Sequence, residues 1–240
     1  MKKVWDIVPY FQESMLADIR RRAVPADVTV VIEGNRTFSG LPKDFSYPYP
    51  NDVRHIKITD WPETTSPWQI EEYQENYALA EIRDEIKSDD IVICSDFDEF
   101  PNWKTVLMLK DTLNFSMPAV RLRMTHHKFF FNRYQKELDW PHAGVCTGAM
   151  FKQRNFTGIR RWEEAPVVSD GGWHFYGMGD DQELKRKFQS TSHYCEPSAQ
   201  EIISKMENGW SLIDAEKGGL HDYDVNRLPA ACKLYPRFLA

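Results

Sequence analysis

One stretch restricts this chain more than any other: Asp89-Asp90-Ile91-Val92-Ile93-Cys94-Ser95-Asp96-Phe97-Asp98-Glu99-Phe100-Pro101. It begins as an apolar run of the kind a strand buried on both faces requires. Asp96, Asp98 and Glu99 follow, and then Pro101, which neither a central strand nor a helix interior tolerates. In an extended segment Asp96 and Asp98 point to one side and Phe97 to the other. Two carboxylates side by side at the exit of a buried strand repel each other unless a cation lies between them. A hard divalent ion, Mg²⁺ or Mn²⁺, suits such oxygens. The carboxyl ends of strands in an open α/β sheet are also where ligands gather. A solvated acidic turn is the bland alternative, and the buried run with its closing proline argues against it.

The residues around this stretch predict an α/β fold. Lys3 to Phe11 reads as a first strand, and residues 12–22 as a helix with Met15, Leu16 and Ile19 at helical spacing. Arg20, Arg21 and Arg22 close that helix, where cations suit its dipole. The β-branched run 27–33 is a second strand, so a parallel crossover and an α/β sheet follow. Residues 53–58 form a third strand after an irregular, proline-rich segment. A long helix from Pro67 to Lys87, with Ser66 as N-cap and an apolar stripe of Ile70, Tyr73, Tyr77 and Ala80, leads into the acidic strand.

Beyond Pro101 a short helix (102–111) and strands at 119–124 and 128–134 are expected. Gly171-Gly-Trp-His-Phe-Tyr-Gly177 reads as a glycine-flanked turn that lets backbone approach a ligand. Helices at 181–188 and from Ser198 to about Asn208 complete the pattern. No linker-like composition divides the chain, so residues 1–240 are read as one domain. Residues 1–117 would form a nucleotide and metal half and 118–240 an acceptor half.

Composition narrows the partners. A net charge of −6 without a basic stripe disfavours nucleic acid, whose affinity rests on phosphate neutralisation. No long apolar run and no leader is visible, so neither a membrane span nor secretion is expected. Cys94, Cys146, Cys195 and Cys232 are scattered, as reduced thiols of a cytoplasmic protein would be. Trp61, Trp68, Trp140, Trp162 and Trp173 stand in polar neighbourhoods and offer flat faces to sugars or bases, although packing alone would explain any one of them.

If Asp96 and Asp98 hold a divalent ion, a third ligand or a phosphate must complete its shell. His174 is the first candidate and His193 the second. Lys187, in the cluster Lys185-Arg186-Lys187, could meet a diphosphate. Metal, diphosphate and aromatic faces together suggest transfer from a nucleotide-diphosphate donor. The absence of G-x-x-x-x-G-K-[ST], G-x-G-x-x-G and G-x-S-x-G disfavours an NTPase, a dehydrogenase or a serine hydrolase.

Several separated blocks resemble glycosyltransferase family 17, which includes β-1,4-mannosyl-glycoprotein β-1,4-N-acetylglucosaminyltransferases. They are Asp6 with Phe11-Gln12-Glu13 and Ile19-Arg20; Val30 to Glu33 with Thr37-Phe-Ser-Gly40 and Lys43; Asp90 to Pro101; and Gly171 to Phe175 with Lys187, Ser192-His193 and Glu196. Gln12 stands where the family usually has Asn, and Phe97 and Phe100 replace smaller aliphatics. The resemblance implies a GT-A fold: a Rossmann-like, mixed, mostly parallel sheet flanked by helices. It implies a UDP-sugar donor, with UDP-GlcNAc as the expected one, a glycan acceptor and inversion at the anomeric carbon. Asp96, Asp98 and His174 would then hold the metal. Glu13, Arg20, Glu33, Lys43, Lys187, His193 and Trp173 would bind the donor. An inverting transferase also needs a carboxylate as base, for which Asp181 comes first, with Glu196 beside it. Without the membrane anchor of eukaryotic members, a soluble microbial or viral enzyme is expected. A metal-dependent nucleotidyl- or phosphotransferase and a non-catalytic carbohydrate-binding protein are the competing readings.

Overall fold

The structure is a computed structural model that describes residues 1–64 and 66–240. Its elements begin β1 (Val4–Tyr10), α1 (Ser14–Ala23), β2 (Val28–Gly34), β3 (Arg54–Ile58), α2 (Pro67–Ile82) and β4 (Ile91–Cys94). β5 (Glu99–Pro101), α3 (Trp103–Thr112), β6 (Ala119–Lys128), β7 (Arg133–Tyr134), β8 (Trp140–Thr147) and α4 (Gly148–Arg160) follow. β9 (Val167–Tyr176), α5 (Asp181–Ser190), α6 (Pro197–Glu207), α7 (Leu212–Glu216) and β10 (His221–Asp222) complete the strands and α-helices, and short 3-10 turns follow to Phe238.

The strands form one mixed, mostly parallel sheet in the order β10-β7-β6-β8-β4-β1-β2-β3, with β9 joined to β6 and β5 joined to β9. β3, β2, β1 and β4 all run the same way, and β9 runs parallel to β6. β8 lies antiparallel between β4 and β6. β4 is the innermost segment, and every residue from Ile91 to Cys94 is buried. Val92 and Cys94 meet Trp5, Ile7, Ile32, Ile82 and Phe156 on one face. Ile91 and Ile93 meet Val4, Leu109 and Val120 on the other. Alternation across a pleat covered on both sides accounts for the unbroken apolar run.

α2 has Ser66 as N-cap and Pro67 in its first turn, and it ends at Ile82 rather than Lys87. Its buried row is Ile70, Gln74, Glu75, Ala78 and Ile82, so Ala80 faces solvent. The two buried polar residues have partners: the Gln74 amide donates to the carbonyls of Tyr10 and Ile32, and Glu75 meets Arg160 and Thr157.

Two expectations are corrected. The span 128–134 is not one strand, because the backbone turns at Phe129 (φ 66°), leaving Lys128 as the end of β6 and, beyond it, only Arg133 and Tyr134 paired. Phe129 and Phe131 are drawn into different apolar clusters, which a continuous strand could not allow. Residues 171–176 are not a turn but the end of β9, and only Gly177 (φ 66°) turns the chain out of it. Gly172 has φ 136°, and a Cβ there would stand 2.0 Å from the Phe100 carbonyl oxygen. The glycine therefore serves a close strand-to-strand approach rather than a ligand.

Candidate active site

The acidic stretch leaves β4 as a turn, not as the extended segment expected. The Glu99 N–H donates to the Asp96 carbonyl at 3.1 Å, and the Asp96 N–H donates to Glu99 Oε2 at 2.7 Å. Arg20 on α1 braces this turn from below. Its guanidinium grips Asp6 with two bonds of 2.9 and 2.7 Å, and donates to the Glu99 carbonyl at 2.6 Å and to Ser95 Oγ at 2.7 Å. Phe97 packs edge-on to Tyr10 with ring centroids 4.8 Å apart. Asp96 and Asp98 both line a cleft beyond the carboxyl end of β4, with one cavity of about 340 Å³ and a neighbouring lobe of about 110 Å³. Pro101 is accommodated because β5 pairs on one side only, with β9.

Asp98 is the centre of the cleft floor. Its Oδ2 accepts from Lys187 Nζ at 2.8 Å, and its Oδ1 stands 3.5 Å from His174 Nε2. Burial works against ionising Asp98, but Lys187 and His174 outweigh it and hold the carboxyl far below its usual value. Burial likewise works against charging Lys187, and Asp98 and Glu13 hold its ammonium protonated. Glu13 Oε1 lies 3.8 Å from Lys187 Nζ.

The position of His174 follows from strand register. It sits opposite Glu99 in the β5–β9 ladder and beside His126 in the β6–β9 ladder. Its Nδ1 shares one proton with His126 Nδ1 at 2.8 Å, which leaves Nε2 turned to Asp98. Burial, reinforced by His174, pushes His126 down to about 3, so that ring is neutral near pH 7. The Trp140 indole from β8 stacks on His174 at 4.1 Å and 25°, and its Nε1–H donates to Glu99 Oε1 at 2.7 Å.

Asp96 pairs with Arg160. The same guanidinium meets Glu75 Oε1 at 2.7 Å and Glu99 Oε2 at 3.3 Å, so three carboxylates converge on one cation. Arg160 reaches them because α4 breaks at Asn155 (φ 59°), whose side-chain oxygen accepts from the Gly158 N–H at 2.9 Å. Burial, together with Glu99, Glu75 and Asp98, raises the Asp96 carboxyl well above its usual value against the pull of Arg160. Glu71, His193, Glu196 and Tyr176 also line the larger cavity.

Of the residues singled out in the sequence, Asp96, Asp98, His174, Lys187, Glu13, His193 and Glu196 reach the cleft. Five others are placed elsewhere. Arg20 is committed to Asp6 and the turn's backbone. Glu33 is fully buried and accepts from Lys43 Nζ at 2.9 Å, the Ser46 N–H at 2.6 Å, the Tyr47 N–H at 3.2 Å and His55 Nε2 at 2.9 Å. Lys43 is thereby spent on Glu33, and the pair anchors the loop after β2 instead of facing the cleft. Trp173 follows the strand alternation to the face opposite His174 and packs near Phe175 and Phe100. Asp181 lies in the first turn of α5, where its carboxylate accepts from the Leu212 N–H at 3.2 Å. Sequence reasoning missed Arg160, Glu75, Glu71, His126 and the stacking role of Trp140; no periodicity or motif marks any of them.

The donor set fits a divalent ion completed from outside the protein. The 3.5 Å span between Asp98 Oδ1 and His174 Nε2 is close to what two adjacent ligands at about 2.0–2.2 Å from one ion require. Asp98 is ionised, His174 turns Nε2 toward it, and the surrounding carboxylates exceed the cations. Among the described residues no three His, Cys, Asp or Glu side chains form a closed cage. Phosphate oxygens and water would therefore fill the remaining positions.

A family model for glycosyltransferase family 17 matches residues 1–208. No curated protein matches the chain. The solved structure of 4-diphosphocytidyl-2C-methyl-D-erythritol synthase from Anaerococcus prevotii covers 86% of this chain and 99% of its own, at a TM-score of 0.39 and 8% identity. Among the described residues no helix is long and apolar enough to cross a membrane.

Proposed function

This chain belongs to glycosyltransferase family 17, and from that premise we propose that its cleft moves GlcNAc from UDP-GlcNAc to a glycan hydroxyl, with inversion and with Mg²⁺ or Mn²⁺. The observation that carries the reading is Asp98 at the cleft floor, flanked by Lys187 Nζ at 2.8 Å and His174 Nε2 at 3.5 Å. A cation site and a fixed ammonium on one carboxylate suit a donor that arrives with two phosphates. Asp98 and His174 would hold the ion, with Asp96 beside them.

When bound, the ion supplies charge neutralisation to a departing diphosphate. Lys187 contributes a second, permanent positive charge at the same place. His126 fixes the His174 ring through their shared proton, and Trp140 covers its face. Arg20 holds the turn so that Asp96 and Asp98 stay aimed at the cleft. Tyr10, Phe11, Phe38 and Phe97 line the narrower lobe, which provides apolar walls for the flat part of a nucleotide. The donor-side half, residues 1–117, contributes the acidic turn. The acceptor-side half, 118–240, contributes His174, Lys187 and the 191–196 rim.

The test is thermal shift with UDP, GDP and CMP sugars, with and without Mn²⁺. UDP-GlcNAc should raise Tm in a Mn²⁺-dependent manner, by mass action on the native state. Asp98→Asn should abolish that rise. Product analysis should give free UDP; released pyrophosphate would instead mean nucleotidyl transfer, and glycan binding indifferent to EDTA and to nucleotide would mean a carbohydrate-binding protein.

A further inference from the structure

We propose that Glu71 on α2 is the general base that deprotonates the acceptor hydroxyl. This rests on the glycosyl-transfer reading above and assigns the one role that neither Asp181 nor Glu196 fills. Asp181 is tied to the Leu212 N–H outside the cleft. Glu196 accepts from His193 Nδ1 at 2.8 Å on an exposed rim.

Four observations single out Glu71. It lines both lobes of the cleft, as do Asp96 and Asp98, so it stands where donor and acceptor spaces meet. Among the described residues it is the one carboxylate lining either lobe with neither a Lys or Arg nor an imidazole nitrogen within salt-bridge distance. Glu13 and Asp98 have Lys187, Asp96 has Arg160, and Glu196 has His193. A carboxylate that no cation holds can turn to an acceptor hydroxyl.

Third, Trp68, a residue 39% exposed, lies one helical turn before Glu71 on the same face of α2, its ring edge-on to the His193 ring at 4.7 Å. A flat apolar face next to a cleft carboxylate suits a sugar ring. Fourth, burial and the charge of Glu75 raise the Glu71 carboxyl above the ordinary glutamate value, against the Ser192 hydroxyl, Arg160 and His193. A base with raised proton affinity takes the acceptor proton more readily.

The step balances within the proposed reaction. The acceptor O–H proton passes to Glu71. The oxygen's electron pair forms the bond to the anomeric carbon. The bond from that carbon to the diphosphate oxygen breaks, and its electron pair leaves on UDP. Asp98 and Lys187 serve the departing end, and Glu71 the attacking end.

The experiment needs no knowledge of the natural acceptor. UDP release from UDP-GlcNAc with Mn²⁺ is followed with water as the nucleophile, and then with sodium azide, an anion that has no proton to lose. Glu71→Gln should keep the Mn²⁺-dependent Tm rise with UDP-GlcNAc while its UDP release falls roughly 10²–10⁴-fold. Azide should restore UDP release in Glu71→Ala and yield a glycosyl azide of inverted configuration. Wild-type release by Glu71→Gln, or an azide-insensitive Glu71→Ala that still binds donor, overturns the assignment and leaves glycosyl transfer standing. A wild-type protein that neither binds nor cleaves any nucleotide sugar overturns both.

Discussion

Replacing Glu33 with glutamine should remove a pH-dependent part of the folding free energy without abolishing donor binding. Glu33 is completely buried at the end of β2 and receives Lys43, His55 and two backbone N–H groups. Burial opposes its ionisation, but these partners prevail and bring the carboxyl from 4.5 to about 2. A native value below the unfolded one means that the unfolded chain takes up the proton first as pH falls. The stabilisation is complete above about 4.5 and is lost as pH drops toward about 2. A shift of about 2.5 units corresponds to about 3.4 kcal/mol at neutral pH, of which about 2 kcal/mol is gone by pH ~3.

Urea unfolding of wild type and Glu33→Gln at pH 6.5 and pH 3.0 reads this directly. Other carboxylates titrate in both proteins, so the quantity of interest is the difference between them. It should shrink by about 2 kcal/mol on acidification. A difference independent of pH would refute the view of Glu33 as the ionised hub of the 35–47 loop. Loss of the nucleotide-sugar Tm shift in a folded Glu33→Gln protein would instead restore it to the donor site.

Arg160→Gln should cost roughly 3–5 kcal/mol in urea unfolding, because three carboxylates lose their shared cation. Adding Glu75→Gln should recover part of that loss, a coupling that a double-mutant cycle measures. Gly172→Ala should destabilise by roughly 2–4 kcal/mol, since its φ is one L residues rarely adopt and its Cβ would meet the Phe100 carbonyl. Chemical denaturation measures the change, and a loss under about 0.5 kcal/mol would show that the β5–β9 approach is not as tight as described.

The parts of the fold legible in the sequence are those where burial alone dictates residue type. β1, β2 and β4 are apolar runs because helices or loops cover both faces, and α2 announces itself through Ser66 and Pro67. β8 and α4 escaped notice for physical reasons. Trp140-Pro-His-Ala-Gly-Val-Cys-Thr mixes proline and glycine into a strand, and α4 carries Gly148, Asn155, Thr157 and Gly158, all poor helix formers. Arg160 is delivered by the break at Asn155, so missing the helix meant missing the residue. Asp96, Asp98, His174 and Lys187 were readable as a group because carboxylates beside a buried strand demand cations. Arg20, Glu33 and Lys43 show the converse. A charged residue in a family motif can hold the loop that shapes a site as readily as touch the ligand, and only coordinates separate the two.

The juxtaposition of Asp98 and His174 is inherited from a very short piece of pairing. Glu99↔His174, Phe100↔Trp173 and Pro101↔Gly172 are all that tie the acidic turn to β9. Because side chains alternate, sliding β9 by a single residue would offer Trp173 or Phe175 to Asp98 and bury the imidazole on the wrong side. Lengthening the surface connections on either side of α3 or α4 leaves that alignment intact. One residue added inside the ladder would dismantle the centre while most of the sheet survived, so a well-folded but inert protein is the signature to expect of such an insertion.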